Sequence, residues 1–287
     1  MLKKRVILFM VIAIVFALGA CNAKDNSMQK EEKEQEIHQE VEDNSKNDEE
    51  VKEEVIPSPD MSKVQELMKE ISNTSIGKVI SFGRYEQDND LSNGAEEIQW
   101  KVIGKKGGKA FLLSTTLLNA MKYSTNYKNY TQWQSSTLRK WLNEEFYCEA
   151  FNQEEQVLIA TTIVKTPNNP EYRTDGGVDT EDKLFVLSLD EMITYFGLNT
   201  EDINPKCVAK MSDYAVAQGG YALTKQDAYS LLKGQYIGNG FWWLRTPGQY
   251  EANVIVICPD GSMFMEGGPM DDETVGVRPA MWVNYVE

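Results

Sequence analysis

Between Asn22 and Asp60 the chain holds no aromatic residue and few apolar ones, and it sets five Lys against fourteen Asp and Glu. Such a stretch cannot bury enough apolar surface to offset the entropy of ordering it. Any core must therefore be built by residues 61–287. The tract reads as a self-repelling spacer, about 35 Å from end to end as a flexible chain and longer once its charges repel. Pro57-Ser58-Pro59 marks its boundary. The 227 residues that follow carry 21 bases and 30 acids and are enough for one good-sized core. Neither part is net basic, which rules out a nucleic-acid binder driven by phosphate neutralisation and argues against a patch docking on anionic lipid.

Ahead of the spacer stand Lys3-Lys4-Arg5 and the twelve-residue apolar run Val6–Ala17. The run is short for a transmembrane helix, which takes about 20 residues, and the order of basic then apolar residues is that of a secretory signal. Leu18-Gly19-Ala20-Cys21 follows directly and resembles the bacterial lipobox, in which the Cys sulfur receives a diacylglyceryl group and the signal is cut just before it. The resemblance implies a signal peptide over 1–20, a lipidated Cys21 leading an acidic linker over 21–60, and a globular domain over 61–287. Two or more acyl chains on Cys21 would hold the protein stably on the extracytoplasmic face of the cell membrane, the membrane being its first partner.

The one His of the chain is His38, in the spacer. The globular part has no imidazole, so Ser-His-Asp and Cys-His catalysis, HExxH zinc chemistry and His-based pH switching are excluded there. Its cysteines are Cys148, Cys207 and Cys258. They allow at most one disulfide, in any of three pairings.

Periodicity predicts mixed helix and strand. Val64, Leu67, Met68 and Ile71 make one apolar helical stripe, and Leu138, Trp141, Leu142 and Phe146 make a second. Asn152 to Glu155 has capping-box spacing, and Ser188-Leu189-Asp190-Glu191 opens a helix that Gly197 can end. Strands are expected at Val79–Tyr85, Ile98–Ile103, Ala110–Ser114, Leu184–Leu187, Phe241–Arg245, Val254–Ile257, Ser262–Met265 and Val275–Val283, with a tight turn at Pro259-Asp260-Gly261. The fold class is α+β, a single domain with antiparallel sheets and a few short helices.

Six ordered blocks carry a family resemblance: Ser81–Tyr85, Leu138–Asn143, Asp175-Gly176-Gly177 with Asp182–Phe185, Asp213-Tyr214-Ala215, Trp242–Gly248, and Val277–Trp282. Over roughly 76–287 they resemble an uncharacterised domain of unknown function found in exported proteins of Gram-positive bacteria, which implies no activity. The closing pattern of Trp-Trp strand, Asp-Gly turn and Val-Arg-Pro-Ala strand also resembles the C-type-lectin-like and formylglycine-generating-enzyme fold group. The cysteine pair of the latter enzymes and the calcium-sugar motifs of the former lectins are missing, so neither activity is implied.

Neighbouring strand residues point to opposite faces, so Trp243 and Arg245 share one. An exposed Trp243 beside Arg245, with Asn253 and Asp260 near, would suit stacking on a sugar or gripping a carboxylate. The alternative is that Arg245 and Arg278 are structural, tied to acids or carbonyls under the sheet. Tyr123, Tyr127, Tyr130 and Trp133 offer a second aromatic surface or a loop's own small core. The loop Thr174–Asp182 could place Asp175, Asp179 and Asp182 round a calcium ion, although a Gly-rich turn explains it without a metal. Asp88 to Gly94 begins like a calcium loop, but its Gly comes one place late and Gln99 stands where the closing Glu belongs, so it reads as a hairpin tip. No other cofactor is expected. The functional expectation is a non-catalytic binding module for envelope glycan, peptide or protein. The alternatives are a carboxylate-based enzyme on envelope polymers and a solute-binding lipoprotein of a transporter.

Overall fold

The closing segment, which periodicity presents as one strand, is two strands in two different sheets. The break falls at Arg278-Pro279: Pro has no N–H to give to a ladder, and the chain leaves one sheet there and enters the other. The structure is a computed structural model that describes residues 58–125, 132–197, 203–226 and 236–286. Residues 61–287 form one compact unit.

In chain order the elements are α1 (Met61–Asn73), β1 (Val79–Tyr85), β2 (Glu96–Lys106), β3 (Lys109–Ser114), β4 (Thr116–Leu117) and β5 (Asn119–Ala120). A 3-10 turn at Trp133–Ser135 leads into α2 (Thr137–Trp141), a π-helical segment (Leu142–Phe146), α3 (Tyr147–Ala150) and α4 (Gln153–Leu158). Then come β6 (Thr162–Val164), β7 (Thr180–Asp182), α5 (Leu189–Phe196), β8 (Lys210–Met211) and α6 (Asp213–Ala217). The last elements are β9 (Trp242–Pro247), β10 (Asn253–Ile257), β11 (Met263–Pro269), β12 (Gly276–Val277) and β13 (Ala280–Asn284). Strands β1-β2-β3-β13 make an antiparallel sheet, and β11-β10-β9-β12-β5 make a second in which only β9 and β12 run parallel. The domain is α+β, as expected.

The helices follow their caps. Ser136 accepts from the Arg139 amide at 3.1 Å, the expected capping box of Asn152 with Glu155 forms, and the helix opening at Ser188 has one too, with Glu191. Gly197 ends α5 in the left-handed region at φ 63°. Gly83 is required for a different reason. It sits at φ +75° in the bulge of β1, and a Cβ there would stand 2.6 Å from the Phe151 ring and 2.7 Å from the Ala150 carbonyl. Its amide donates to Glu155 Oε1 at 2.8 Å, which fastens β1 to the first turn of α4.

Leu184–Leu187 is not a strand. The segment is fully buried, and its backbone bonds go half to side chains and half to backbone groups of two strands. Asn143 accepts from the Lys183 and Leu184 amides and donates to the Leu184 carbonyl. Phe185 exchanges two backbone bonds with Ala280. The Val186 carbonyl takes Arg245 Nη1 and the Leu187 carbonyl takes the Arg245 amide. A buried backbone group must be paired somewhere, and here three other parts of the chain pair it in place of one continuous strand.

Arg278 is buried at the crossing between the sheets. Its Nε donates to the Ser114 carbonyl at 3.0 Å, its Nη1 to the Cys207 carbonyl at 3.1 Å, and its guanidinium lies 4.9 Å from the Trp242 ring. Burial lowers its pKa to about 10, still far above neutrality, so the charge persists. Arg278→Ala is expected to cost about 3 kcal/mol, because two buried carbonyls lose donors and a void opens. Arg278→Lys should recover part of this. Urea unfolding followed by Trp fluorescence measures both.

Candidate functional site

The residues singled out in β9 are interior. Trp243 is 0% exposed and Arg245 2%. The pairing of β9 with β10 shifts register between Trp243 and Pro247, and every residue from Trp242 to Thr246 is buried, so strict alternation into one core and one solvent face does not apply here. Trp243 donates Nε1–H to the Met121 carbonyl at 2.9 Å, and Trp242 to the Cys207 carbonyl at 3.1 Å. The expected exposed indole beside Arg245 is therefore corrected: Trp243 offers no stacking surface.

Arg245 spends its whole donor set on the protein. Nη1 and Nη2 grip Glu191 in a bidentate pair at 2.6 and 2.9 Å. Nη1 also donates to the Val186 carbonyl at 2.7 Å, and Nη2 and Nε both reach the Lys165 carbonyl, at 2.7 and 3.1 Å. A guanidinium has five N–H groups, so none is left to hold a ligand carboxylate. Glu191 is shared, since its Oε2 also caps α5 by accepting from the Ser188 amide at 2.8 Å.

The other predicted residues scatter. Asn253 donates to the Gly267 carbonyl within the β10–β11 pair. Asp260 accepts from the Ser262 amide and hydroxyl and so closes the Pro259–Gly261 turn. Asp182 is buried with both oxygens committed, one to Arg139 Nε at 2.6 Å and the other to Trp133 Nε1 and Thr180. It cannot also face a calcium ion with the exposed Asp175 and Asp179. Among the described residues the one group of carboxylates close enough to share an ion is Glu86, Asp88 and Glu96, so the metal reading of Asp175, Asp179 and Asp182 is corrected too. Tyr123 and Trp133 are buried with ring centres 6.1 Å apart, the small core alternative, whereas Tyr127, Tyr130 and Cys21 lie outside the described residues. Cys207 and Cys258 are free thiols, which closes all three disulfide pairings within the globular part, since each pairing includes one of them. Burial pushes both thiols up, Cys207 to about 11, so neither is a thiolate nucleophile at neutral pH.

Among the described residues two concavities stand out. The smaller, about 210 Å³, lies between the Asp175-Gly176 loop and the β9–β10 connection and is lined by Gln132, Trp133, Asp175, Arg245 and Glu251 among others. Asp175 is engaged by Gln132 Nε2 at 2.9 Å, and Thr174 fixes the loop to the Gly248 carbonyl. The larger, about 490 Å³, is an open trough walled by Lys122, Lys140, Trp141, Glu145, Gln218 and Glu273. Trp141 is half-buried, with ring contacts to Tyr85 and Phe146 on its inner side. Its spacing in the stripe suggested core; the signal for a second role is that it stands at the stripe's edge, between charged Lys140 and Glu145. Lys122 and Glu273 pair across one rim at 3.4 Å.

These features describe a single-domain α+β protein whose Arg245, Arg278 and Asp182 constellations are architectural and whose described surface includes an aromatic-walled trough. The chain belongs to the family described as a domain of unknown function, DUF6273, which matches residues 107–285. The match begins after β2, so the Ser81–Tyr85 block lies ahead of it. No curated protein and no solved structure matches the chain.

Replacing Glu191 by Ala leaves a buried, charged Arg245 without its carboxylate and α5 with only the Ser188 half of its capping box. A loss of about 3 to 5 kcal/mol is expected in chemical denaturation. Glu191→Gln should lose less, because one oxygen can still accept.

Proposed function

We propose that the protein is a lipid-anchored extracytoplasmic binding module that takes a segment of envelope glycan or peptide in the trough beside Trp141. The observation that carries this reading is the half-buried indole set among Lys122, Lys140, Glu145 and Glu273. Its size falls within the range of ligand sites. An aromatic face with polar groups of both signs around it suits a sugar ring or a zwitterionic peptide, whose apolar face stacks while its polar edge finds donors and acceptors. The leader, Leu18–Cys21 and the acidic spacer supply the anchor and the reach. Among the described residues no helix is long and apolar enough to cross a membrane, so on this reading attachment rests on the lipid at Cys21.

A second reading has one observation in its favour. Asp175 and Glu251 line the same small cavity, and two carboxylates flanking one site are the equipment of glycoside hydrolysis.

The two separate in one set of assays. Binding of the full chain to isolated peptidoglycan and wall polysaccharide should fall at least roughly ten-fold in Trp141→Ala, with circular dichroism unchanged, and should survive Asp175→Asn and Glu251→Gln. Release of soluble sugar products that those two variants abolish would favour the enzyme. Palmitate labelling should disappear in Cys21→Ala, with the protein shed into the medium.

A further inference from the structure

The connection between β1 and β2 gathers three carboxylates. One oxygen each from Glu86, Asp88 and Glu96 lies within 4.8 Å of the other two. Acidic clusters at surface loops are common and mean little alone, but Glu86 is unusual. It is 7% exposed, and its Oε1 is buried with no hydrogen-bond partner, while the Asn89 amide and the Asp88 carboxylate both lie against its side chain. A buried carboxylate oxygen without a donor is destabilising unless something positive meets it. No ion pair reaches any of the three among the described residues; the nearby Arg84 is turned to Glu97 and to the Ala95 carbonyl.

The loop is built to bring these oxygens together. Asp88 accepts from the Asp90 amide and from Asn93 Nδ2, both at 2.8 Å, and Asn89 adopts φ 63°. Glu96 Oε2 accepts from the Gln87 and Asp88 amides at 2.7 and 3.3 Å. Tyr85 pairs with Glu96 across the ladder, which sets Glu86 and Glu96 at the same end of the hairpin. These bonds hold the Asp88 and Glu96 carboxylates in place within 4.8 Å of the buried Glu86 carboxylate.

We propose that Glu86, Asp88 and Glu96 hold a divalent cation of the calcium class. The donors are hard oxygens with no nitrogen or sulfur, as calcium prefers, and oxygens bound to one calcium ion at about 2.3–2.6 Å cannot lie more than roughly 5 Å apart. Carbonyls and water would complete the shell. This differs from the calcium loop that Asp88 to Gly94 suggests: Asp88 is kept, but the other ligands come from the strand ends on either side. The ion would tie β1 to β2 at a loop whose Gln87 carbonyl receives the Tyr214 amide of α6. The site lies outside residues 107–285 and is independent of the trough reading.

The test is calorimetric titration of calcium chloride into the chelator-treated full chain, alongside thermal melting with and without 1 mM calcium. The acidic tract binds calcium weakly in every variant, so comparison between variants cancels it. Wild type should show one saturable site and a rise in Tm of about 5 °C. Glu86→Gln and Glu96→Gln should each weaken that site at least roughly ten-fold and lose the rise, while Glu97→Gln keeps both. Gln relieves like-charge repulsion, so the variants should fold without calcium, and their melting in chelator verifies it. Equal calcium responses in wild type and the Glu86→Gln, Glu96→Gln double variant would overturn the proposal. So would a Tm of wild type that calcium does not move.

Discussion

The buried pair of Arg245 and Glu191 is the interaction on which the rest of the fold turns. One guanidinium joins β9, the cap of α5, the carbonyl of Lys165 after β6 and the carbonyl of Val186. A pair of this kind adds little over a well-packed apolar alternative, yet losing one partner is costly. Its effect is to specify geometry, because only one arrangement of these four segments satisfies five donors at once. The helix, the two strands and the strand-like segment are thereby set in register by one side chain.

Three of the ordered sequence blocks converge on the segment that follows β7. Leu138–Asn143 supplies Arg139 for Asp182 and Asn143 for residues 183–184. Val277–Trp282 supplies Ala280 for Phe185, and Trp242–Gly248 supplies Arg245 and Thr246 for residues 186–189. These three blocks meet along 182–189, where Asn143, Arg245 and Thr246 side chains pair part of the backbone. This also explains why local patterning misassigned Leu184–Leu187: a short apolar run between turn signals looks the same whether its neighbours are strands or Asn and Arg side chains.

The elements whose reasons are local were readable in the sequence. The stripe of α1, the capping boxes at Asn152 and Ser188, the Gly197 stop and the Asp260 turn all follow from residues within a turn of one another. What depended on layering was not. Alternation offered one solvent-facing side of β9, but the strand is bulged between Trp243 and Pro247 and covered on both sides. Likewise Asp182 looked available for a metal until Arg139, Trp133 and Thr180, distant in sequence or hidden by the loop, claimed its oxygens. Glu86 shows the reverse: an unremarkable acid beside a strand end becomes distinctive once burial leaves one oxygen unmatched.

The change of sheet at Pro279 has a consequence for how the chain is made. β13 completes its sheet by pairing with β3, laid down some 170 residues earlier, and Ala280 supplies both backbone bonds of Phe185. Synthesis runs from the amino end, and contacts between residues so far apart must wait for the later one. Until β13 emerges, β3 has an open edge and the segment round Phe185 lacks its partner. The domain is thus closed by its final strand, and a nascent chain stays pliable until that strand arrives.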